Sequence, residues 1–181
     1  VAEADTVSRQ VLRRVKVVGR PFGLALDEAG KSLFVTCRDS DRLAVLDTQS
    51  LRETASVSVG MAPVALAFCR TAAGDRLVVA NSMSDDISVL STSPLQELGR
   101  PSAGREPFSV AVSPDGARVF VANRLVRLDS VKKTPASEIT EVDPATARAV
   151  RRKSLESAHL SEGICVVPSR SWTPESPSGW R

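Results

Sequence analysis

The chain has 181 residues, with 24 Lys and Arg against 21 Asp and Glu, a single His and a net charge of +3. That balance is too even, and too dispersed along the chain, for an electrostatic binder of nucleic acid. Five Phe, two Trp and no Tyr leave no aromatic platform for bases or sugars, and no stretch approaches the ~20 apolar residues of a membrane-spanning helix.

Taken in order, the chain reads as short strands divided by turns. Val1–Ala4 and Val11–Val18 are the first two, with the second ending at Gly19. Four more follow at Phe22–Leu26, Leu33–Thr36, Leu43–Leu46 and Ala55–Val59, each rich in Val, Leu, Phe and Ala and bounded by turn residues. The turn Asp27–Gly30 and its counterpart Ser113–Gly116 carry Gly where a positive φ is expected. No segment of ten or more residues shows helical periodicity.

The pattern then restarts. Pro21, Pro63 and Pro107 are 42 and 44 residues apart, and each follows a Gly and opens an apolar run (Phe22–Leu26, Val64–Phe68, Phe108–Val112). A turn ending in Gly30, Gly74 or Gly116 comes next, then a second apolar run at Leu33–Val35, Leu77–Val79 or Val119–Val121. Self-similarity at this period marks a stack of like units, and four short antiparallel strands per unit make the blade of a β-propeller.

The fold class is therefore all-β, a β-propeller fragment of about three complete four-stranded blades with partial blades at both ends. The expected organisation is one propeller region over residues 1–168. A blade remnant covers 1–19, blades cover 20–60, 61–104 and 105–158, and a further blade starts at 159–168. Residues 169–181, rich in Pro and Ser, read as a disordered or non-native tail. Because the repeat begins and stops mid-blade, the chain reads as a fragment of a longer protein.

The segment Pro107-Phe108-Ser109-Val110-Ala111-Val112-Ser113-Pro114-Asp115-Gly116-Ala117-Arg118-Val119-Phe120-Val121-Ala122-Asn123 resembles the YVTN-type β-propeller repeat. Leu77-Val78-Val79-Ala80-Asn81 repeats its end, whereas Leu33-Phe34-Val35-Thr36-Cys37 departs from it with Cys in place of Asn. The family is similar to propellers of the cytochrome-d1 and quinoprotein type, some fused to c-type cytochrome domains. The resemblance implies a periplasmic or extracellular protein, and a superfold of this kind leaves the activity open.

In a four-strand meander the loops after the second and fourth strands share one face, and the turns after the first and third share the other. The first face varies: Asn123 to Asp143 is 20 residues against 10 from Cys37 to Asp47, an insertion at about Arg124–Ser137. Insertions confined to one face of a repeat array mark its binding face. The candidate binding residues there are Arg20, Arg105, Arg124, Arg127, Lys132, Lys133 and His159, with solvated loop charges and pairing to Asp39, Asp41 or Glu106 as the bland alternative.

Catalytic and metal chemistry find little purchase. One loop His without a nucleophile elbow makes no triad. Three cysteines without C-x-x-C or C-x-x-C-H argue against covalent c-type haem attachment within this chain, and their places on different strands disfavour a disulfide. Cys37 should end a strand on the variable face and Cys69 should follow one on the other. Asp39-Ser40-Asp41 and Ser84-Asp85-Asp86 offer oxygens for Ca²⁺, but turn formation accounts for both. No catalytic residue, metal site or cofactor is assigned.

The expectation is a non-enzymatic binding or scaffold module whose variable face meets a partner protein, an adjoining domain or a small anionic ligand. The alternative is the propeller portion of a haem- or quinone-dependent redox enzyme, with a c-type cytochrome domain as the adjoining part. A lactonase-type enzyme ranks third for want of clustered acids and His.

Overall fold

A computed structural model describes residues 1–125, 137–155 and Ile164. Strands β1 (Ala2–Ala4) and β2 (Val11–Arg14) form a two-stranded antiparallel sheet. Three four-stranded antiparallel meanders follow. The first is β3 (Pro21–Leu26), β4 (Ser32–Cys37), β5 (Arg42–Asp47) and β6 (Glu53–Ser58). The second is β7 (Pro63–Thr71), β8 (Gly74–Asn81), β9 (Asp86–Thr92) and β10 (Leu95–Gly99). The third is β11 (Arg105–Val112), β12 (Val119–Leu125), β13 (Ser137–Asp143) and β14 (Arg148–Leu155). The only regular helical piece among the described residues is a 3₁₀ turn at Arg38–Ser40.

The apolar runs are continuous because the inner strands are buried on both faces. In β8, Leu77 and Val79 join Phe34, Leu43, Val45 and Leu66 in a core between the first and second sheets. Val78 and Ala80, one residue out of phase, join Ile87, Val89, Val119, Val121 and Val142 between the second and third. A strand with period two thus feeds two cores at once. Each fully buried Val or Leu contributes roughly 1.5–3 kcal/mol relative to exposure, and Phe34 stacks on Phe68 across the first seam with ring centroids 6.3 Å apart. A third cluster seats Val35, Cys37, Ala44 and Leu46 against Val17, with Val1 and Val15 at its border.

Some boundaries differ from expectation. The strand from Val11 ends at Arg14 rather than Val18, since beyond the Val15 N–H, bonded to Val1 O at 2.9 Å, the chain turns Val17 into the core. Cys69 lies inside β7 instead of after it, because the β7–β8 ladder continues to Thr71↔Gly74 and lengthens that hairpin. The expected turn glycines are in place: Gly30, Gly74 and Gly116 have φ of 66°, 103° and 69°. The expected strand at 163–168 and the tail at 169–181 lie outside the described residues, Ile164 excepted.

Candidate functional site

Backbone hydrogen bonds sort the connections into two faces. On one, the Arg38 N–H donates to Arg20 O and the Asp39 N–H to Gly19 O, and Ser82 N–H and Met83 N–H repeat this with Ala62 O and Met61 O. On the other, the Thr48 N–H donates to Lys31 O, tying the turn after β5 to the turn after β3. The second face is made of self-contained turns. Asp47 accepts from the Ser50 hydroxyl and N–H, and Asp143 accepts from Thr146 in the same way. Ser113 donates to Asp115 within a third such turn.

The loop face is fastened from sheet to sheet by two carboxylates. Asp41 (φ 49°) accepts the Ala62 N–H at 2.8 Å, and Asp85 (φ 55°) accepts the Glu106 N–H at 2.8 Å. Their carbonyls take the Val59 and Ala103 N–H groups. Ala62 and Glu106, each just before a Pro, are themselves left-handed at φ 51° and 54°. The Asp41 and Asp85 oxygens considered for Ca²⁺ are thus engaged in joining blades.

Below the loops, Asn81 Nδ2 donates to Ser88 Oγ and to Asp86, while Asn123 Nδ2 donates to Thr140 Oγ1 and to Glu138 O. Ser88 and Thr140 in turn accept the N–H groups of Gly60 and Gly104. A Cβ on Gly60 would come within 2.5 Å of Asn81 Nδ2, and one on Gly104 within 2.7 Å of Asn123 Nδ2. Only Gly lets the loop approach this closely. In the first blade Cys37 and Ala44 occupy the corresponding places. There the amide donor and its hydroxyl acceptor are absent together, so neither side chain strands the other.

The cations stand on this frame. Arg124 stacks its guanidinium carbon 3.5 Å from the Phe108 ring centroid and places Nη1 3.1 Å from Glu106 Oε1. Arg38, at the corresponding position of the first blade, lies 5.9 Å from the Phe22 ring. Phe22 and Phe108 meet edge to face with centroids 6.3 Å apart. Arg20 approaches Asp39 at 3.9 Å with both side chains well exposed, a pair of small energetic value. Arg105 opens β11 and is exposed. By position and by its left-handed φ, Arg20 corresponds to Glu106 rather than to Arg105.

Of the residues singled out in the sequence, Arg20 falls in a loop of this face, Arg105 at the start of β11 and Arg124 at the end of β12, whereas Arg127, Lys132, Lys133 and His159 lie outside the described residues. Arg38, Phe22 and Phe108 were missed. Their signal was the recurrence of Arg immediately after Cys37 and Asn123, and of Phe immediately after Pro21 and Pro107.

A cleft of about 760 Å³ opens on the opposite face, lined by Glu28, Arg70, Thr71, Asp115 and Gly116 among others. Its cation is spent: Arg70 pairs with Glu28 and lies 3.7 Å from Asp75. The two described thiols, Cys37 and Cys69, are buried, and the Arg42 and Arg76 charges that act on them do not offset that burial. Desolvation raises Cys37 and pushes Cys69 up to about 11, so both remain protonated and unreactive near neutrality.

Neither a protein-family profile nor a curated protein sequence matches the chain. Among solved structures it is similar to a hydrazine synthase of Kuenenia stuttgartiensis, at 24% identity and a TM-score of 0.72, over 85% of this chain and 42% of that one. The fold is a β-propeller. The dihydro-haem d1 dehydrogenase NirN, solved in complex with DHE, shares it at 16% identity and a TM-score of 0.65, over 82% of this chain and 31% of its own. A functionally unknown protein of Desulfotomaculum acetoxidans does so at 15% identity and 0.66, over 83% of this chain and 47% of its own. The chain therefore spans less than half the length of each, and identities this low show the fold alone.

Proposed function

We propose that the chain is a non-enzymatic binding or scaffold module, using the loop face of its propeller blades to engage a partner protein, an adjoining domain or a small anionic ligand. The observation that carries this reading is the contrast between faces. Arg20, Arg38, Arg105 and Arg124 gather on strand ends and loops stitched together by backbone bonds, while on the other face Asp47, Asp115 and Asp143 are satisfied within their own turns and Arg70 is paired with Glu28. The insertion carrying Arg127, Lys132 and Lys133, and the loop position of His159, belong to the same face in this proposal. No catalytic residue is assigned, and the setting is periplasmic or extracellular.

Similarity to two enzymes, the hydrazine synthase and NirN, favours one further reading. In it the chain is the propeller portion of a redox enzyme, and the same face borders a haem- or quinone-bearing domain, such as a c-type cytochrome, outside this chain.

The test is a thermal-shift survey of anionic ligands on two sets of charge-neutralised variants. Lys132→Ala with Lys133→Ala, and Arg20→Gln with Arg105→Gln, should lose ligand-induced stabilisation while keeping the unliganded Tm. Lys31→Gln and Arg70→Gln on the opposite face should keep it. Loss confined to the opposite-face set contradicts the proposal.

A further inference from the structure

Phe22 and Phe108 are the residues after the first Pro of blades one and three, and Arg38 and Arg124 are the residues after Cys37, which closes β4, and Asn123, its counterpart near the end of β12. Two positions that recur along the chain thus produce two copies of one arrangement, a guanidinium beside a phenyl ring. The copies come from blades that are not neighbours, yet their rings touch. The middle blade contributes Val64 and Ser82 at the same positions, both buried, with the Ser82 hydroxyl turned down onto Ala62 O. Nothing bulky from blade two keeps the rings apart.

The two ends differ in one respect. Arg124 already holds a carboxylate, that of Glu106. Arg38 has no ion pair among the described residues. Separately from that contrast, its Nε is buried without a hydrogen-bond partner. A buried guanidinium donor left unbonded costs more than a neutral group in the same place, and an arriving acceptor relieves that cost. A guanidinium lying against a ring keeps its N–H fork in the plane, where a carboxylate binds it through two parallel bonds. Between the forks the surface is the apolar ring pair, with Phe22 about half exposed.

We propose that Arg38, Phe22, Phe108 and Arg124 form a site for a small dicarboxylate, one carboxylate on each guanidinium and an apolar spacer over the two rings. Glu106 occupies the Arg124 end as a built-in competitor, and the incoming carboxylate shares or displaces it. The inference rests on the loop face being the binding face and names its ligand class.

The experiment is calorimetric titration of the full chain with linear α,ω-dicarboxylates from succinate to azelate, with hexanoate as the one-carboxylate probe. One chain length should bind best, and hexanoate should bind about tenfold more weakly or worse, as loss of a charge-assisted contact predicts. Arg38→Gln should weaken the best dicarboxylate by about tenfold, Arg38→Lys by less, and Glu106→Gln should tighten it, since a competitor is neutralised. Arg70→Gln on the far face should bind as wild type does, and circular dichroism checks that each variant is folded. Equal binding of hexanoate, or unchanged binding by Arg38→Gln, overturns the inference. If acidic peptides or other anions bind and respond to Arg20→Gln with Arg105→Gln but not to Arg38→Gln, the dicarboxylate site fails while the loop-face reading stands. If no anion responds to any loop-face variant, both fail.

Discussion

The Asp85 carboxylate accepts the backbone N–H of Glu106 at 2.8 Å, and through that bond the second blade sets the residue that pairs with Arg124 on the third. Asp41 repeats the bond with Ala62 one blade earlier. Each acidic residue sits in a left-handed turn and reaches a left-handed residue before a Pro, so the connection is a repeated joint between blades. Asp85→Ala should lower stability by about 1–2 kcal/mol, because the Glu106 N–H loses its acceptor. Asp85→Asn, which keeps an acceptor oxygen, should cost less than half as much. Urea unfolding of the two variants gives both values, and equal losses would argue against the joint.

Val121 pairs with Val110 on one side and Thr140 on the other and is fully buried between the second and third blades. Val121→Asp places an unpaired carboxylate in that core and should destabilise by about 3 kcal/mol or more. A Tm within a degree or two of wild type would contradict the register.

Blade one lacks the Asn–hydroxyl–Gly chain of its neighbours, with Cys37 and Ala44 in place of Asn81 and Ser88. Converting blade two to that pattern should be strongly non-additive. Asn81→Cys and Ser88→Ala should each cost about 1–3 kcal/mol by stranding the other's partner, whereas the double variant should cost clearly less than their sum. A double-mutant cycle on denaturant unfolding measures the coupling, and strict additivity would mean the chain of bonds contributes nothing.

Acid should weaken the fold through its turn carboxylates. Hydrogen bonds hold Asp5, Asp47, Asp115 and Asp143 below the ordinary value of 3.8, from the Ser8 N–H, the Ser50 hydroxyl, the Ser113 hydroxyl and the Thr146 hydroxyl respectively. A folded value below the unfolded one means stability that is complete above the unfolded value and is lost as pH falls through the folded one. Tm should therefore be flat from neutrality to about pH 5 and decline below about pH 4. Asp47→Asn should shallow that decline, and a decline beginning near pH 6 would point to another group.

Legibility in the sequence followed what is local to one repeat. The four strands of blade one and the first two of blades two and three were readable because they are short runs rich in apolar residues, and because Gly30 and Gly116 punctuate them with positive φ. The split into a turn face and a loop face followed from strand number alone. The Arg38–Phe22–Phe108–Arg124 arrangement was not readable, since it joins blades one and three across the intervening blade, and sequence spacing is silent on what meets near an axis. Cys37 looked like an isolated departure from the repeat. Its compensation by Ala44 appears only with the β4–β5 register, in which Val35 faces Ala44.

Hydrogen–deuterium exchange of the full chain, with and without a saturating α,ω-dicarboxylate, tests most directly whether the loop face is where this protein binds. Slow exchange is expected through β4, β5, β8, β9, β13 and residues 119–122 of β12 in either state. Ligand-induced protection should be confined to the loop face, at residues 19–20 and 38–41, at the start of β11 (104–106) and at the loop-face end of β12 (123–124). Protection in the turns at 27–31, 70–75 or 113–118, or an unchanged pattern at saturation, would contradict it.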